Sequence, residues 1–449
     1  MSDTDERSVA DARSLHERPA DLLSELIRFD TTNPPGDERA CVEWIADRLA
    51  DYGVESETYA MDPDRPNLVA RLPGGDAPSL LLYGHVDVVP TTGQDWSHPP
   101  FDGVVEDGFV WGRGALDMKG GVSMMLSTFL RAAAEDVDLA GDLVLMIVSD
   151  EEGGGDHGAA FMVEEHPEVL EGVEYAMGEF GGFAAEIAGE RFYPIQVNEK
   201  QVCWLRATFR GEGGHGSRPR EKSALSDMAR AVSAVAENRL PVVVTPTVEE
   251  LVESIAEELP PEVGDEVRAL LDPERTDEVL DALGDEGELF DAILHDTANP
   301  TVVRGGDKEN VIPAEVSVTL DCRLLPGQGR SDIEAELREV MPEDVDVEFD
   351  TIRHEPFPAE TDEGLFPLLA DVLEDADPEG TAVPFMLAGA TDGRHLARVG
   401  VQSYGFTPYD LPPDFAFMDL VHAADERVPV ECLEFGADAM YEAVTRYGH

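Results

Sequence analysis

The sequence predicts an α/β protein with a central, mostly parallel sheet flanked by helices and interrupted by a smaller inserted α+β domain. One observation is that apolar runs such as LVLMIV at 143–148 contain no polar break, which is typical of strands buried on both faces. A second is that segments with helical spacing separate these runs. A third is that the pattern changes at about Val197: QVCWLRATFR at 201–210 alternates in polarity, as a sheet with one solvated face does.

The outer domain is predicted to comprise residues 1–198 and 355–449. Helical spacing predicts helices over 15–29 and 37–52, and the breaker TTNPPG ends the first of them. In chain order, the next predicted elements are strands 67–72 and 79–85, a loop and hairpin at 96–111, helix 122–134, strand 142–149, helix 156–165, strand 175–178, helix 364–374, strand 401–406 and a last helix from Val430.

The inserted domain is predicted to cover residues 199–354. Its strands are expected at 201–210, 300–304, 314–324 and 345–350, and its helices at 222–237 and 331–340. An acidic helical insertion at about 248–294 interrupts this pattern, with a break at the Pro260–Pro261 pair. The order strand, helix, strand, strand, helix, strand predicts a small α+β unit.

The charge balance is strongly acidic: 95 Asp and Glu residues against 32 Lys and Arg give a formal net charge of −63. Nucleic acids and anionic membranes attract basic surfaces, so we expect neither as a partner. Because the acidic residues are spread through the whole chain, we interpret them as the surface of a halophilic protein screened by concentrated salt. An acidic binding surface is the alternative.

Cysteine usage and the first residues bear on the cellular compartment. Cys41, Cys203, Cys322 and Cys432 are scattered and form no CxxC pair, which indicates free, mostly buried thiols in a reducing compartment. The first residues, MSDTDERSVADARS, lack the basic and apolar regions of a signal peptide, and no run of about 18 apolar residues occurs. We therefore expect a cytoplasmic protein without a membrane span.

Metal-binding types of side chain follow the predicted strands of the outer domain. His85 and Asp87 end one strand, and Glu151 and Glu152 follow the apolar run at 143–148. In open α/β sheets, ligands bind beside the carboxyl ends of the strands. Two adjacent glutamates at that edge need a cation or a proton. We expect Glu152 to bind a metal and Glu151 to act as general base toward a metal-bound water.

Asp117, Glu179 and His422 complete the set of candidate ligands. Imidazole and carboxylate donors without cysteine suit zinc, cobalt or manganese and argue against a closed structural zinc site. Five ligands exceed what one catalytic zinc takes but fit two metals that share a carboxylate. Asp87 lies two residues after His85, so it can orient that imidazole. Each residue also has a structural interpretation, such as a helix cap for Asp117, but the combined pattern is more specific than its parts.

Several longer motifs occur in a recognisable order. They are YGHVDVVP, WGRGALDMKGG, SDEEGGG, GHGSRP, KENVIPAEVSVTLDCRLLPG, GATDGR and VHAADERV. Together they span nearly the whole chain and resemble the two-zinc peptidases and deacylases, a family that includes carboxypeptidase G, aminoacylase, acetylornithine deacetylase and succinyl-diaminopimelate desuccinylase. NEKQVCWLRATFRGEGGHGS and DTANPTVVRGGDKENVIP are most similar to the aminoacylase and vacuolar carboxypeptidase branch.

The resemblance implies a role for each candidate residue. It implies two zinc ions, one held by His85, Asp117 and Glu179 and the other by Asp117, Glu152 and His422, with Asp117 bridging. It also implies that Asp87 orients His85 and that Glu151 carries a proton from the bridging water to the leaving amine. A cis peptide bond between Asp117 and Met118 is a further implication.

For the inserted domain, the resemblance implies a lid and dimerisation role, with a homodimer formed through this domain. It implies that His215 stabilises the oxyanion, often from a partner subunit, and that Asn310 and Arg323 bind the substrate carboxylate. The alternatives are a turn histidine at His215 and a surface ion pair at Arg323. The acidic insertion at 248–294 is longer than a compact lid requires, and the sequence assigns it no function.

Taken together, the sequence predicts a hydrolase that cleaves an amide bond next to a free carboxylate, in an N-acyl amino acid or a short peptide. Two divalent cations, zinc before cobalt or manganese, would activate the water. Three alternatives remain. One is an aminopeptidase of the same architecture, which would recognise a free amine. The others are an inactive metal- or peptide-binding protein and a dimerisation scaffold, and the intact set of site residues argues against both.

Overall fold

The computed structural model describes residues 14–218, 220–358, 361 and 364–449. Residues 1–13, on which the expectation of no signal peptide mainly rests, and Pro219 of the GHGSRP motif lie outside the described residues. The chain divides into two compact units. The larger unit takes the described residues of Met1–Val197, Asp362–Phe385 and Thr391–His449, and the smaller unit takes those of Asn198–Thr361 and Met386–Ala390.

The strands are numbered in chain order. They are β1 (Ser56–Tyr59), β2 (Asn67–Leu72), β3 (Ala77–His85), β4 (Val104–Glu106), β5 (Phe109–Trp111), β6 (Gly141–Val148), β7 (Val173–Gly178), β8 (Ala185–Ile187), β9 (Glu190–Glu199), β10 (Gln201–Arg210), β11 (Gly214–His215), β12 (Thr297–Gly305), β13 (Val311–Ile312), β14 (Glu315–Leu324), β15 (Val347–Glu355), β16 (Gly380–Leu387), β17 (Gln402–Gly405) and β18 (Arg427–Pro429).

The α-helices are numbered in the same way. They are α1 (Pro19–Ile27), α2 (Arg39–Asp51), α3 (Lys119–Glu135), α4 (Ala159–Glu165), α5 (Ala224–Glu237), α6 (Pro246–Glu258), α7 (Pro261–Arg268), α8 (Thr276–Leu283), α9 (Glu288–Leu294), α10 (Arg330–Val340), α11 (Phe366–Ala376), α12 (Gly393–Ala397), α13 (Phe417–Leu420) and α14 (Val430–Arg446). Among the described residues, no helix is both long and apolar enough to cross a membrane.

A nine-stranded sheet organises the larger unit. Its order is β1-β2-β6-β3-β7-β17-β9-β16, with β8 paired to β9. The central strands β6, β3, β7 and β17 are parallel neighbours, whereas β2 pairs antiparallel with β6 and β9 pairs antiparallel with β17. The predicted mostly parallel sheet is therefore confirmed, and its parallel strands place their carboxyl ends at one edge.

Both faces of this sheet are buried. Along β3, Leu80 and Leu82 enter one apolar cluster, and Leu81 and Tyr83 enter the cluster on the opposite face. β6 alternates between the same two clusters. Because every residue of such a strand faces an apolar layer, the sequence shows unbroken apolar runs.

The first turn of helix α3 packs closely against the loop that precedes it. A Cβ atom on Gly120 would lie 2.2 Å from the carbonyl oxygen of Ala115, so only glycine allows the helix to begin this close to the preceding loop. The start of the helix is therefore held next to Asp117, two residues before Lys119.

The smaller unit contains a four-stranded antiparallel sheet in the order β12-β14-β10-β15. Apolar side chains of its strands pack with those of α5 and α10 in one core. Burial alternates along β14, as one covered face requires. Cys203 and Cys322 lie opposite each other in register within this core, and all four cysteines are buried free thiols, as predicted.

Five strands among the described residues of the larger unit, β1, β8, β9, β16 and β18, are not predicted from the sequence. β9 contains Pro194 and β16 contains Pro384, and proline argues against an interior strand because it lacks a donor for the ladder. β9 also buries the polar residues Gln196, Asn198 and Glu199. The composition of β9 therefore resembles that of a loop, although the segment is a strand.

Candidate metal centre

Three parallel strands carry candidate ligands to one edge of the sheet. His85 is the last residue of β3, and Glu179 directly follows β7. Glu151 and Glu152 lie in a 3₁₀ turn (Glu151–Gly153) that follows β6. Because β3 pairs with both β6 and β7, these side chains converge at the carboxyl edge.

A first cluster forms around His85. Its Nε2 atom lies 3.2 Å from Asp117 Oδ1 and 3.4 Å from Glu179 Oε2. One ligand atom each from His85, Glu151 and Glu179 lie within 4.8 Å of one another. His85, Asp117 and Glu179 are all buried.

A second cluster forms around His422. Its Nε2 atom lies 3.0 Å from Asp117 Oδ2 and 3.1 Å from Glu152 Oε1, and ligand atoms of the three residues lie within 4.8 Å of one another. The two oxygens of Asp117 therefore face different clusters. The peptide bond between Asp117 and Met118 is cis.

The electrostatics of the two clusters fit divalent cations. Burial raises the pKa of Glu179 well above its usual range, and burial raises the pKa of Glu152 to about 7. Burial alone would lower the pKa of His85, but hydrogen bonds to Asp117, Asp87 and Glu179 raise it well above its usual value. Carboxylates buried this close together are unfavourable unless cations neutralise them. Nitrogen and oxygen donors of this kind suit zinc, cobalt or manganese.

Asp87 contacts both His85 and the 3₁₀ turn Glu151–Gly153, which is called the glutamate turn below. His85 Nδ1 is 3.0 Å from the backbone oxygen of Asp87 and 3.4 Å from its Oδ1. The closer partner of the imidazole is thus the main chain of Asp87, whereas the sequence suggested its carboxylate. That carboxylate accepts hydrogen bonds from the backbone N–H groups of Glu151 (3.1 Å) and Glu152 (3.2 Å). Asp87 therefore contacts the imidazole and the glutamate turn together.

The side chain of Asn33 forms a hydrogen bond with the carboxylate of Asp87. Asn33 is not one of the predicted site residues. Its Nδ2 donates to Asp87 Oδ2 at 2.8 Å and to Asp150 Oδ1 at 3.0 Å. Arg65 in turn contacts Asp150 at 2.9 Å and Glu38 at 2.9 Å. The only sequence signal for Asn33 is its position inside TTNPPG, a segment that predicts the end of a helix.

A buried ion pair between Arg113 and Glu426 joins the segments of Asp117 and His422. Both side chains are fully buried. Glu426 Oε1 accepts the backbone N–H groups of Leu116 (2.7 Å) and Asp117 (3.2 Å), and Arg113 Nη2 donates to the His422 carbonyl at 3.0 Å. His422 has a φ of 64°, a left-handed conformation that surrounding contacts must hold in a non-glycine residue. Arg113 and Glu426 lie inside the quoted motifs WGRGALDMKGG and VHAADERV, but no role was assigned to them.

The side chain of Glu151 has a cationic neighbour. Arg394 Nη1 lies 3.3 Å from Glu151 Oε1 and donates to the Thr391 carbonyl at 2.5 Å. Asp392, in the same GATDGR motif, is 2% exposed, and its burial together with the charge of Glu151 raises its pKa well above the usual range.

The remaining predicted site residues, His215, Asn310 and Arg323, lie in the smaller unit. His215 is exposed on β11, and Asn310 is adjacent because the backbone N–H of Gly216 donates to its carbonyl at 2.8 Å. Arg323 lies on β14, and its Nε is 2.9 Å from Asp321 Oδ1. Arg323 therefore makes the ion pair that was the alternative interpretation of this residue.

Comparison with known proteins identifies relatives over most of the chain. It is 28% identical to the probable carboxypeptidase S-like 2 of Dictyostelium discoideum over 385 residues, 81% of this chain and 71% of that protein. It is 26% identical to aminoacylase-1 of Sus scrofa over 416 residues, 91% of this chain and 89% of that protein. An M20 family metallo-carboxypeptidase from Sulfolobus solfataricus has the same fold, with a TM-score of 0.65 at 17% identity over 95% of this chain and 98% of that chain.

The family model for peptidase family M20/M25/M40 matches residues 81–446. This match includes both clusters described above and every motif quoted for the resemblance. On these grounds the chain belongs to peptidase family M20/M25/M40, and its predicted identity as a hydrolase of the metallopeptidase class is confirmed.

Proposed function

We propose that this chain is a two-metal amidohydrolase that cleaves an amide bond next to a free carboxylate, in an N-acyl amino acid or a short peptide. The observation that carries the proposal is the division of Asp117 between two clusters, with Oδ1 at 3.2 Å from His85 and Oδ2 at 3.0 Å from His422. One carboxylate facing two such clusters suits two divalent cations better than one. We expect zinc before cobalt or manganese.

The proposed ligands are His85, Asp117 and Glu179 for one cation and Asp117, Glu152 and His422 for the other. Divalent cations in such a site supply Lewis-acid polarisation of the scissile carbonyl and lower the pKa of a water molecule. Asp87 would hold His85 and the glutamate turn in place because hydrogen bonds link it to both, and Asn33 would hold Asp87 through its own hydrogen bond to that carboxylate. Outer contacts of this kind set the orientation of metal ligands.

Glu151 is the proposed general base. It faces the first cluster together with His85 and Glu179, and its backbone is fixed by Asp87. Burial raises the pKa of its carboxyl group, which favours a group that accepts a proton from the attacking water and then donates it to the leaving nitrogen.

The proposed substrate class rests on the relatives and on three polar residues. The relatives named as a carboxypeptidase and an aminoacylase support a peptide or acylated amino acid. We propose Asn310 and Arg323 for the substrate carboxylate and His215 for the oxyanion. Arg323 would exchange its ion pair with Asp321 for the carboxylate of the substrate. We also keep the lid and dimerisation role of the smaller unit, and a homodimer, as proposals.

The test combines metal analysis with a hydrolysis screen at high salt. N-acyl amino acids and peptides with a free carboxylate should be hydrolysed, and unblocked peptide amides should not; the reverse preference would favour the aminopeptidase. Glu151→Gln should abolish turnover while the metal content stays unchanged. Glu171→Gln, at an exposed glutamate, is the matched control and should retain activity. Turnover by Glu151→Gln near the unmodified rate would contradict the general-base role.

A further inference from the structure

We propose that Arg394 is a positioning residue for Glu151. Its guanidinium group would hold Glu151 at Oε1, so that Oε2 is the oxygen presented to the reacting atoms. The inference rests on the proposed function, because it assumes that Glu151 carries the proton. It adds a residue to which neither the motif resemblance nor the family match assigns a role.

The geometry of Arg394 is that of an anchored side chain. Nη1 lies 3.3 Å from Glu151 Oε1, and the two side chains are only 7% and 13% exposed. The same Nη1 donates to the carbonyl of Thr391 at 2.5 Å, three residues earlier in the chain. Since one end of the contact is fixed by the local backbone, the position of the guanidinium restricts where the Glu151 carboxylate can lie.

The backbone of Glu151 is held separately. Its N–H donates to Asp87 Oδ1 at 3.1 Å, and the preceding residue, Asp150, has a left-handed φ of 70°. This hydrogen bond and this backbone conformation fix the position of the Glu151 main chain but leave the side-chain torsion angles free. Arg394 supplies the second fixed point, at the far end of the side chain. A general base needs this restriction because proton transfer requires hydrogen-bond reach to the donor atom.

The charges around Glu151 give Arg394 a second effect. Glu179 and Asp392 are both buried acidic neighbours whose charges interact with that of Glu151. In their ionised forms these groups would repel the Glu151 carboxylate and favour rotamers that point away from the cluster. The positive charge of Arg394 opposes this rotation and keeps the carboxylate at the site.

The experiment compares Arg394→Met, Arg394→Lys and the control Arg398→Met. Arg398 lies four residues later and pairs with Glu164 at 2.6 Å on the surface. For Arg394→Met we expect kcat to fall about 10- to 100-fold, the range typical of residues that orient a site through another side chain, with KM and metal content unchanged. Arg394→Lys keeps the charge and should recover part of kcat, and Arg398→Met should behave as the unmodified protein.

The same substitution is then made in a Glu151→Asp background. The shorter aspartate cannot make the contact with Arg394, so Arg394→Met should have little further effect on kcat if it acts through Glu151. An equal loss of kcat in both backgrounds would overturn the proposal, and so would an effect confined to KM, which would indicate a direct substrate contact. If Arg394→Met does not fold, the same comparison with Arg394→Lys decides.

Failure of the inference and failure of the proposed function give different results. Activity retained by Glu151→Gln contradicts the role of Glu151 itself. A catalytically inactive Glu151→Gln variant combined with a fully active Arg394→Met variant leaves the proposed function in place and refutes only the positioning role.

Discussion

Replacing Glu426 with glutamine perturbs the connection between the two segments that provide Asp117 and His422. Glutamine keeps the size of the side chain and one oxygen that can accept the backbone N–H of Leu116. In the unmodified protein this N–H lies 2.7 Å from Glu426 Oε1. The substitution removes the negative charge that faces Arg113. Because both members of the pair are fully buried, the guanidinium of Arg113 would be left without its ionic partner.

The expected magnitude follows from this burial. Breaking a buried ion pair by removing one partner typically lowers the free energy of unfolding by about 3–5 kcal/mol. In the double variant Glu426→Gln with Arg113→Met, no uncompensated charge remains, so its loss should fall short of the sum of the single losses by about 1–3 kcal/mol. The exposed pair of Glu442 and Arg446 is the matched control, and Glu442→Gln should cost at most about 1 kcal/mol.

The assay is urea unfolding at fixed high salt, with a chelator present so that bound metal does not contribute to stability. Metal content after gel filtration is measured separately, and Glu426→Gln should retain less metal because the backbone of Asp117 and the carbonyl of His422 lose their shared support. Additive losses in the double variant would refute the reasoning. A Glu426→Gln variant as stable as Glu442→Gln would do so as well.

Three further predictions concern other parts of the molecule. Asp87→Ala should lower metal affinity about 10- to 100-fold, because it removes a carboxylate that accepts the backbone N–H groups of Glu151 and Glu152 and lies 3.4 Å from His85 Nδ1; an unchanged titration curve would contradict this. The net charge of −63 predicts that the thermal midpoint rises between dilute buffer and molar salt, where screening shortens the range of repulsion, and a midpoint independent of salt would refute the halophilic interpretation. Burial raises the pKa of Glu336 from 4.5 to about 7, so the stability that its protonated form contributes is complete below pH 4.5 and lost as the pH rises through 7. Glu336→Gln should therefore match the unmodified protein at pH 4.5 and exceed its stability at pH 8, as urea unfolding at the two pH values measures; equal stability of the two proteins at pH 8 would contradict this.

The residues at strand ends were within reach of the sequence because burial on both faces leaves a clear signal. The run before Glu151 and Glu152 is apolar at every position, so the first polar residues after it had to lie at the edge of the sheet. His85 and Glu179 follow from the same argument. The structure brings these four side chains together with Asp117 and His422.

The supporting residues were out of reach for a physical reason. Arg113 and Glu426 are 313 positions apart, and Glu151 and Arg394 are 243 apart. Nothing in the local spacing or polarity of either partner indicates the other, because such pairs are specified by the three-dimensional fold. β9 was missed for a related reason, since its buried polar residues and its proline resemble a loop until the partners are known.

The position of β17 between β7 and β9 has a consequence for biosynthesis. During translation, β7 and β9 emerge from the ribosome some two hundred residues before the strand that separates them. Until then each presents an unpaired edge, a known route to aggregation. A nascent chain halted before Gln402 would thus contain most of its buried apolar residues but lack β17, the strand that joins the two parts of its sheet.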